Sequence, residues 1–203
     1  MKIISFEGID ACGKETQAEL IALWLAEQGN TVLHEAFPRY DKPIGAVIRK
    51  WLDKEIQLSD EAVHMLYEAD RQDFTDLMEY FQSLETDKDH ILVLDRFTLS
   101  NLAFGRAKGL DVEWLAKLQE KVPKPDITFL LDISPETSIK RRSKGRDRHE
   151  EDTELLRKTR NAYLQELHDN LVKKSLQQVL IIDGEQSVEE VHKQIKEYLK
   201  RTL

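Results

Sequence analysis

The sequence predicts an α/β protein in which a five-stranded parallel sheet lies between two layers of helices. Five short β-like runs alternate with longer amphipathic stretches. The runs are 3–6, 31–36, 91–94, 127–133 and 179–182. This alternation is typical of parallel sheets, because the chain must cross over the sheet between one strand and the next. The chain has no internal repeat, low-complexity tract or linker, so we expect one domain over residues 1–203.

Turn and cap residues mark the ends of several predicted helices. Gly29 and Asn30 follow the first amphipathic stretch and predict its end. Ser187 and Glu190 have the spacing of a capping box at the start of the last helix. The longest helical pattern predicts a single helix over roughly residues 60–84.

The chain opens with MKIISFEGIDACGKET, in which an apolar run leads into a glycine-containing loop and then into a helix. This order is typical of a phosphate-binding P-loop, because glycines let backbone N–H groups turn inward around an anion. Lys14 can then reach the outer phosphates. We predict a nucleoside triphosphate site and a P-loop NTPase-like, three-layer α/β/α fold. The predicted phosphate-binding residues are Gly8, Ile9, Asp10, Ala11, Cys12, Gly13, Lys14, Glu15 and Thr16.

The metal ligands predicted from the sequence come from two places. Glu15 follows the P-loop lysine where Ser or Thr usually holds Mg²⁺, so Asp10 is the nearest substitute and Thr16 lies one position later. The run at 91–94 ends in Asp95 and Arg96, at the carboxyl end of a predicted parallel strand, where open sheets bind ligands. Asp95 can hold Mg²⁺ through water, and the planar Arg96 guanidinium can donate two hydrogen bonds to a phosphate.

A basic cluster lies within residues 140–148, which carry six basic side chains and one acidic one. We predict a short basic lid at about 140–151, whose arginines stabilise charge on a transferred phosphoryl group. The predicted catalytic arginines of the lid are Arg142, Arg146 and Arg148. A solvated helix end explains the same charges, and an RNA-binding surface is a weaker alternative because no aromatic residue interleaves them.

Composition excludes several classes of function. The formal net charge of −8 argues against a general binder of nucleic-acid polymers or of anionic membranes. A single cysteine excludes an intramolecular disulfide framework, and the six histidines lack the spacing of a zinc site. The sequence has no leader and no apolar run approaching about 20 residues, so we expect a cytoplasmic protein.

Beyond these separate motifs, the chain resembles the thymidylate kinase (dTMP kinase) family over nearly its whole length. The matching stretches are 6–14 (FEGIDACGK), 37–40 (FPRY), 66–71 (LYEADR), 95–104 (DRFTLSNLAF), 123–126 (PKPD) and 131–136 (LDISPE). The resemblance implies transfer of the ATP γ-phosphoryl group to dTMP, giving dTDP, with ATP and Mg²⁺ as cofactors. It also implies a homodimer.

The resemblance assigns roles around the nucleoside. Tyr67 would stack on the thymine ring, Arg71 would donate to a base carbonyl, and Asn101 would read the base edge. Phe104 and Tyr163 match positions that flank the deoxyribose, where a bulky ring can exclude a ribose 2′-hydroxyl.

It assigns further roles around the phosphates. Arg96 would hold the acceptor monophosphate, helped by Arg39 or Tyr40, and Asp10 would lie between the two nucleotides. Lys14 and the lid arginines would neutralise the transferred group. The complete predicted acceptor set is Phe37, Pro38, Arg39, Tyr40, Tyr67, Arg71, Arg96, Ser100, Asn101, Phe104 and Tyr163.

Two positions depart from the usual family pattern. Gly105 stands where many members carry Gln or Thr, and Glu15 replaces the usual P-loop hydroxyl. A kinase for another deoxynucleoside monophosphate, or for a deoxynucleoside, therefore stays an alternative. A non-catalytic nucleotide-binding regulator is a second alternative, and an RNA-binding protein is a third.

Overall fold

The structure is a computed structural model that describes residues 1–141, 153–167 and 178–203. Its strands form one parallel sheet in the order β2-β3-β1-β4-β5. They are β1 (Lys2–Glu7), β2 (Thr31–Ala36), β3 (His90–Asp95), β4 (Ile127–Asp132) and β5 (Val179–Asp183). Helices cover both faces of the sheet, so the predicted fold class is confirmed.

Nine helices lie within the described residues. They are α1 (Lys14–Glu27), α2 (Pro43–Leu52), α3 (Asp60–Asp73), α4 (Thr75–Ser83), α5 (Thr98–Ala107), α6 (Val112–Leu118), α7 (Pro135–Arg141), α8 (Thr153–Glu166) and α9 (Val188–Thr202). Helix α1 ends just before Gly29, and α9 begins with the predicted Ser187–Glu190 capping box. No helix in these ranges is long and apolar enough to cross a membrane.

Alternating side chains of the central strands supply a core on each face of the sheet. Val93 of β3 packs with α1, α5 and α8, whereas Leu92 and Leu94 pack on the other face with Phe74 and Met78. All five side chains are almost completely buried. Because neighbouring residues in a strand point to opposite faces, a strand that is covered on both sides must be apolar throughout.

The sheet order brings two chain segments together at the site. Strands β1 and β3 are neighbours, with Phe6 paired to Asp95, although they are far apart in sequence. The Arg96 N–H donates to the Phe6 carbonyl at 2.9 Å. The glycine loop after β1 and the Asp95-Arg96 pair after β3 therefore leave the sheet side by side, at its carboxyl edge.

The single helix predicted over 60–84 is wrong, because the structure has two helices that meet at Phe74. The Arg39 guanidinium donates at 2.8 Å to the Asp70 carbonyl oxygen, which an uninterrupted α-helix would pair with the Phe74 N–H. That N–H bonds instead to the Arg71 carbonyl at 3.2 Å. A tertiary contact thus interrupts a continuous amphipathic pattern.

Candidate active site

The loop between β1 and α1 has the backbone of an anion-binding turn. Gly8 and Gly13 have φ of 143° and 94°, and Ala11 has φ of 58°. A Cβ on Gly8 would lie 2.5 Å from the Leu131 carbonyl oxygen and 2.8 Å from the Cys12 sulfur. Only glycine fits there, since both the conformation and the space exclude a side chain.

This loop and the start of α1 form one wall of a cleft of about 980 Å³, counting the part open to solvent. Of the nine predicted phosphate-binding residues, 11–16 line the cleft, Asp10 lines a second cavity, and the buried Gly8 and Ile9 line neither. The lining residues are Ala11, Cys12, Gly13, Lys14, Glu15, Thr16, Gln17, Leu131, Arg141, Gly184, Gln186, Ser187, Val188 and Val191. A positive helix end, backbone amides and a lysine thus face one open volume.

We call this cleft the donor cleft. Sequence reasoning missed its far wall, which is lined by Leu131, Arg141, Gly184, Gln186, Ser187, Val188 and Val191. The Arg141 guanidinium crosses it and donates to the Gly184 carbonyl at 2.8 Å. Gly184 directly follows β5, so the rule that ligands bind at the carboxyl ends of parallel strands could have found this part.

Cys12 is a neutral structural residue of the loop. Burial raises the pKa of the Cys12 thiol, and this effect outweighs the opposing influence of the Lys14 charge and backbone N–H. The thiol sits against Gly8.

A second cavity, of about 500 Å³, opens on the other side of Asp10. Its lining residues are Asp10, Phe37, Pro38, Tyr40, Leu52, Tyr67, Arg71, Arg96, Ser100, Asn101 and Phe104. All of these except Leu52 belong to the predicted site. The cavity combines aromatic walls with a few charged and polar groups, as expected of a nucleoside pocket.

Arg96 lines the second cavity and lies against the loop after β1. Its φ of 61° is unusual for a residue with a side chain. Its guanidinium forms an ion pair with Asp10 and donates to the Gly8 carbonyl at 3.1 Å. Burial opposes its charge, but Asp10 and the neighbouring acidic groups raise the pKa of Arg96 well above its usual value. Arg96 is therefore a permanent cation held against the P-loop.

The fully buried Glu7 organises the pocket wall beside Arg96, and sequence reasoning missed it. Its carboxylate accepts from the Phe97 N–H at 2.8 Å, the Ser100 hydroxyl at 2.5 Å and the Tyr163 hydroxyl at 3.2 Å. The signal was an acidic residue within an otherwise apolar strand, since a buried carboxylate needs several donors.

Two predicted substrate residues lie outside the cavity lining. Tyr163 is 1% exposed, behind Ser100 and Phe104, and its hydroxyl lies 2.8 Å from the Ser100 hydroxyl. Arg39 is 5% exposed, and its guanidinium bonds to Asp70 at 3.0 Å and Asp73 at 2.7 Å. The contact of Arg39 with substrate stays a prediction, although Nε and Nη2 of its guanidinium already bond to groups of the protein.

At the base end of the cavity, Arg71 and Asn101 are both held by Glu68. One carboxylate oxygen of Glu68 accepts from the Asn101 amide at 2.9 Å and from the Arg71 guanidinium at 3.2 Å. On its other side, the Asn101 amide oxygen lies 2.7 Å from Nδ1 of His64. Sequence reasoning predicted Arg71 and Asn101 but missed His64 and Glu68, because neither lines the cavity.

The residues present fit a magnesium ion. Asp95 is 8% exposed, and its buried Oδ1 has no hydrogen-bond partner within the described ranges. No group of three His, Cys, Asp or Glu side chains with metal-binding geometry occurs in those ranges. Mg²⁺ usually takes one or two carboxylates together with substrate phosphates and water, so Asp95 suits it. Thr16 lines the donor cleft, and Asp10 lines the second cavity, which we call the acceptor cavity.

A family model for thymidylate kinase matches residues 6–195 of the chain. The chain belongs to the thymidylate kinase family. The probable thymidylate kinase of Thermococcus kodakarensis is 37% identical over 202 residues, which span 95% of this chain and 94% of the relative. The thymidylate kinase of Danio rerio is 32% identical over 196 residues, spanning 96% and 88%. The resemblance noted from the motifs is thus confirmed.

Solved thymidylate kinases share the fold. The structure of the Candida albicans enzyme superimposes with a TM-score of 0.82 at 27% identity and covers 99% of this chain and 92% of that one. The Ehrlichia chaffeensis thymidylate kinase superimposes with a TM-score of 0.72 at 24% identity, which bears on the fold alone.

In this member of the thymidylate kinase family, the predicted lid follows α7. The catalytic arginines predicted there, Arg142, Arg146 and Arg148, lie outside the described residues. Helix α7, which leads into the predicted lid, is anchored to the site, because its Ser138 hydroxyl donates to the Asp10 carbonyl at 2.7 Å.

Proposed function

We propose that this protein is a thymidylate kinase that transfers the γ-phosphoryl group of ATP to dTMP, giving ADP and dTDP. One observation carries the proposal: Asp10 lines the acceptor cavity, directly precedes the loop residues that line the donor cleft, and is ion-paired with Arg96. The P-loop therefore connects the two cavities through adjacent residues. A phosphate held by Arg96 would lie next to the P-loop, as direct transfer between two nucleotides requires.

The donor side supplies electrostatic stabilisation. Backbone amides of the loop and the Lys14 ammonium face the cleft where the triphosphate would bind. Asp95, through water, together with Asp10 or Thr16 would hold Mg²⁺, which supplies positive charge to the phosphate oxygens when it is bound. The predicted lid arginines would complete the charge around the transferred group.

The acceptor side supplies orientation. Arg96 can donate to the monophosphate from a guanidinium already fixed by Asp10 and Gly8. The second pKa of a phosphate monoester is about 6, so the attacking oxygen is already anionic near neutral pH. No strong general base is needed, and no covalent enzyme intermediate is expected.

The nucleoside would occupy the aromatic part of the cavity. Tyr67 and Phe37 offer apolar faces for a base, and Arg71 and Asn101 offer polar groups at its edge. Phe104 lies on the sugar side, and its ring packs at 85° to that of Tyr163 with centroids 6.4 Å apart. That packing would fix the bulky ring that discriminates against a 2′-hydroxyl.

We also propose a homodimer. Exposed apolar side chains on the neighbouring helices α2 and α3, Val47 and Met65, support an association surface on this side. Sedimentation velocity would measure it. A cytoplasmic location stays a prediction from the sequence.

The acceptor screen tests the proposed function. Purified protein with ATP and Mg²⁺ is offered each common deoxynucleoside monophosphate and thymidine, and ADP release is followed with the phosphorylated product identified by mass. We expect dTMP to give the highest kcat/KM. Arg96→Lys is the matched variant, because it keeps the positive charge but loses the bidentate pair of N–H donors. This variant should raise KM for the monophosphate.

The outcomes separate the alternatives. Preference for a purine or for an unphosphorylated nucleoside would assign the protein to another kinase specificity on the same fold. Tight ATP binding without transfer to any acceptor would indicate a nucleotide-binding regulator.

A further inference from the structure

The side chain of Asn101 is held from both sides by buried partners. Asn101 is 2% exposed and lines the acceptor cavity. Its Nδ2 donates to Glu68 at 2.9 Å, and its Oδ1 lies 2.7 Å from Nδ1 of His64. Glu68 and His64 are also buried but do not line the cavity, so neither is placed to contact substrate directly. Water cannot easily replace either partner at such depth.

These partners allow only one orientation of the Asn101 amide group. An ionised carboxylate can only accept, so Glu68 requires the NH₂ end of Asn101. Burial raises the pKa of Glu68, while the Arg71 guanidinium and the Asn101 amide oppose this shift and favour the ionised form. A His64 ring protonated at Nδ1 can only donate from that atom, so it requires the oxygen end. Reversing the amide would place the Asn101 oxygen against the Glu68 carboxylate and the Asn101 NH₂ against the Nδ1–H of His64. Both buried hydrogen bonds would then be lost.

The same carboxylate also holds Arg71. The Arg71 guanidinium donates to Glu68 at 3.2 Å and to the Tyr67 carbonyl at 3.1 Å, while its Nε has no partner in the described ranges. Arg71 presents donors only, whatever the pH. The base end of the cavity therefore offers donors from Arg71 beside an amide whose orientation Glu68 and His64 dictate.

His64 is itself held in place by close packing. A Cβ on Gly105 would come 2.4 Å from Cδ1 of Leu115 and 3.3 Å from Cε1 of His64. A side chain at residue 105 would therefore press on the imidazole. This packing gives a physical reason for glycine at a position where many family members carry Gln or Thr.

Building on the proposed function, we propose that His64 and Glu68 are positioning residues that fix the amide of Asn101 and thereby select a keto pyrimidine over an amino pyrimidine. Thymine presents an N3–H donor beside the O4 acceptor. Cytosine presents an N3 acceptor beside an amino donor. An Asn101 oxygen with a free lone pair, next to the donors of Arg71, matches the first pattern and opposes the second.

The tautomer of His64 tests the first step in the unmodified protein. Nitrogen-15 NMR of the histidine side chains at neutral pH should show His64 protonated at Nδ1, because that atom donates to Asn101. Protonation at Nε2 alone would make Nδ1 an acceptor and reverse the amide, which would overturn the proposal. This result does not depend on kinase activity.

Variants test the second step through the ratio of kcat/KM for dTMP to that for dCMP. His64→Leu removes the donor and should lower this ratio at least about tenfold, chiefly through KM for the two monophosphates. His64→Asn places an amide N–H near the original Nδ1 and should keep the ratio within about threefold of the parent.

Val63→Ala is the matched structural control. Val63 is a buried residue next to His64 on α3, and it packs in an apolar cluster with Trp51 and Leu52. Its truncation should lower the melting temperature without moving the substrate ratio. An unchanged ratio in folded His64→Leu would overturn the inference while leaving thymidylate kinase activity intact. Failure of the parent to phosphorylate dTMP would instead refute the proposed function.

Discussion

The donor cleft and the acceptor cavity both use the loop after β1, but they are built in different ways. The loop wall of the donor cleft is one continuous segment, residues 11–17, whose shape comes from backbone conformation. The acceptor cavity draws one to three side chains from each of several elements: the P-loop, α2, α3, α5 and the segments after β2 and β3. Backbone amides suit any polyphosphate, whereas recognition of one base depends on individually oriented side chains.

The two regions also differ in how their polar groups are satisfied. In the acceptor cavity, Arg96, Ser100 and Asn101 each bond to a carboxylate of the protein, which is buried for Ser100 and Asn101. In the donor cleft, Lys14 supplies charge directly from the first turn of a helix. Substitutions in the donor cleft should therefore affect chemistry with little change in stability, while substitutions around the acceptor cavity should affect both.

The largest effect is expected at Lys14. Lys14→Ala should lower kcat by about 10³-fold or more, because the charge on the transferred phosphoryl loses its nearest fixed cation. The free energy of unfolding should change by less than about 1 kcal/mol. Steady-state kinetics and urea denaturation measure both, with exposed Lys121→Ala as the control. Activity of Lys14→Ala within severalfold of the parent would contradict the expectation that substitutions in the donor cleft act mainly on the chemistry.

Arg39→Ala tests the opposite behaviour. Removing the guanidinium leaves the fully buried Asp70 without its ion-pair partner, so the free energy of unfolding should fall by about 3–5 kcal/mol. Urea denaturation at neutral pH measures the loss. Arg157→Ala, which breaks an exposed pair with Glu154, should cost no more than about 1 kcal/mol. A stable Arg39→Ala protein with a greatly raised KM for dTMP would instead support the predicted contact of Arg39 with substrate.

The pH dependence of stability sharpens the comparison at the base end of the cavity. Burial lowers the pKa of His64 from 6.5 to about 4, and the charges of Lys108 and Arg71 act in the same direction, against Asp60 and the Asn101 bond. Between these values the unfolded chain binds the proton and the folded chain does not. His64 therefore contributes stability that is present above pH 6.5 and is lost as the pH falls towards 4.

The expected loss from His64 across this window is roughly 3 kcal/mol. Urea denaturation of the parent and of His64→Asn at a series of pH values gives the free energy of unfolding of each protein. The difference between the two proteins at each pH cancels the titration of other groups. Parallel pH profiles for the two proteins would contradict a neutral, buried His64.

The smallest effect is expected for Tyr163→Phe. Burial, together with the Glu7 charge, raises the pKa of Tyr163 well above its usual value, so the hydroxyl is a neutral donor. Its removal leaves Glu7 bonded to Ser100 and the Phe97 N–H. The free energy of unfolding should fall by about 1 kcal/mol, with a severalfold rise in KM for dTMP. Tyr80→Phe, at a residue that is 63% exposed, should change neither quantity.

The comparison explains which parts of the site could be predicted. The phosphate loop was predicted from local residues, because its glycines, lysine and flanking strand and helix are contiguous. The acceptor residues came from a family resemblance, and ten of the cavity-lining residues were in that set or in the P-loop. The supporting residues Glu7, His64 and Glu68 were missed, since nothing in their local sequence shows which distant groups they contact.

The sequence by itself determined the alternation of strands and helices, the phosphate loop and the Asp95-Arg96 pair at a strand end. These features follow from short-range periodicity and from backbone conformations that particular residues require. Only the tertiary structure decided that Arg39 turns towards Asp70, that α3 and α4 are separate helices, and that His64 and Glu68 hold Asn101. Buried polar groups must find partners wherever the fold brings them, and those partners lie tens of residues away along the chain.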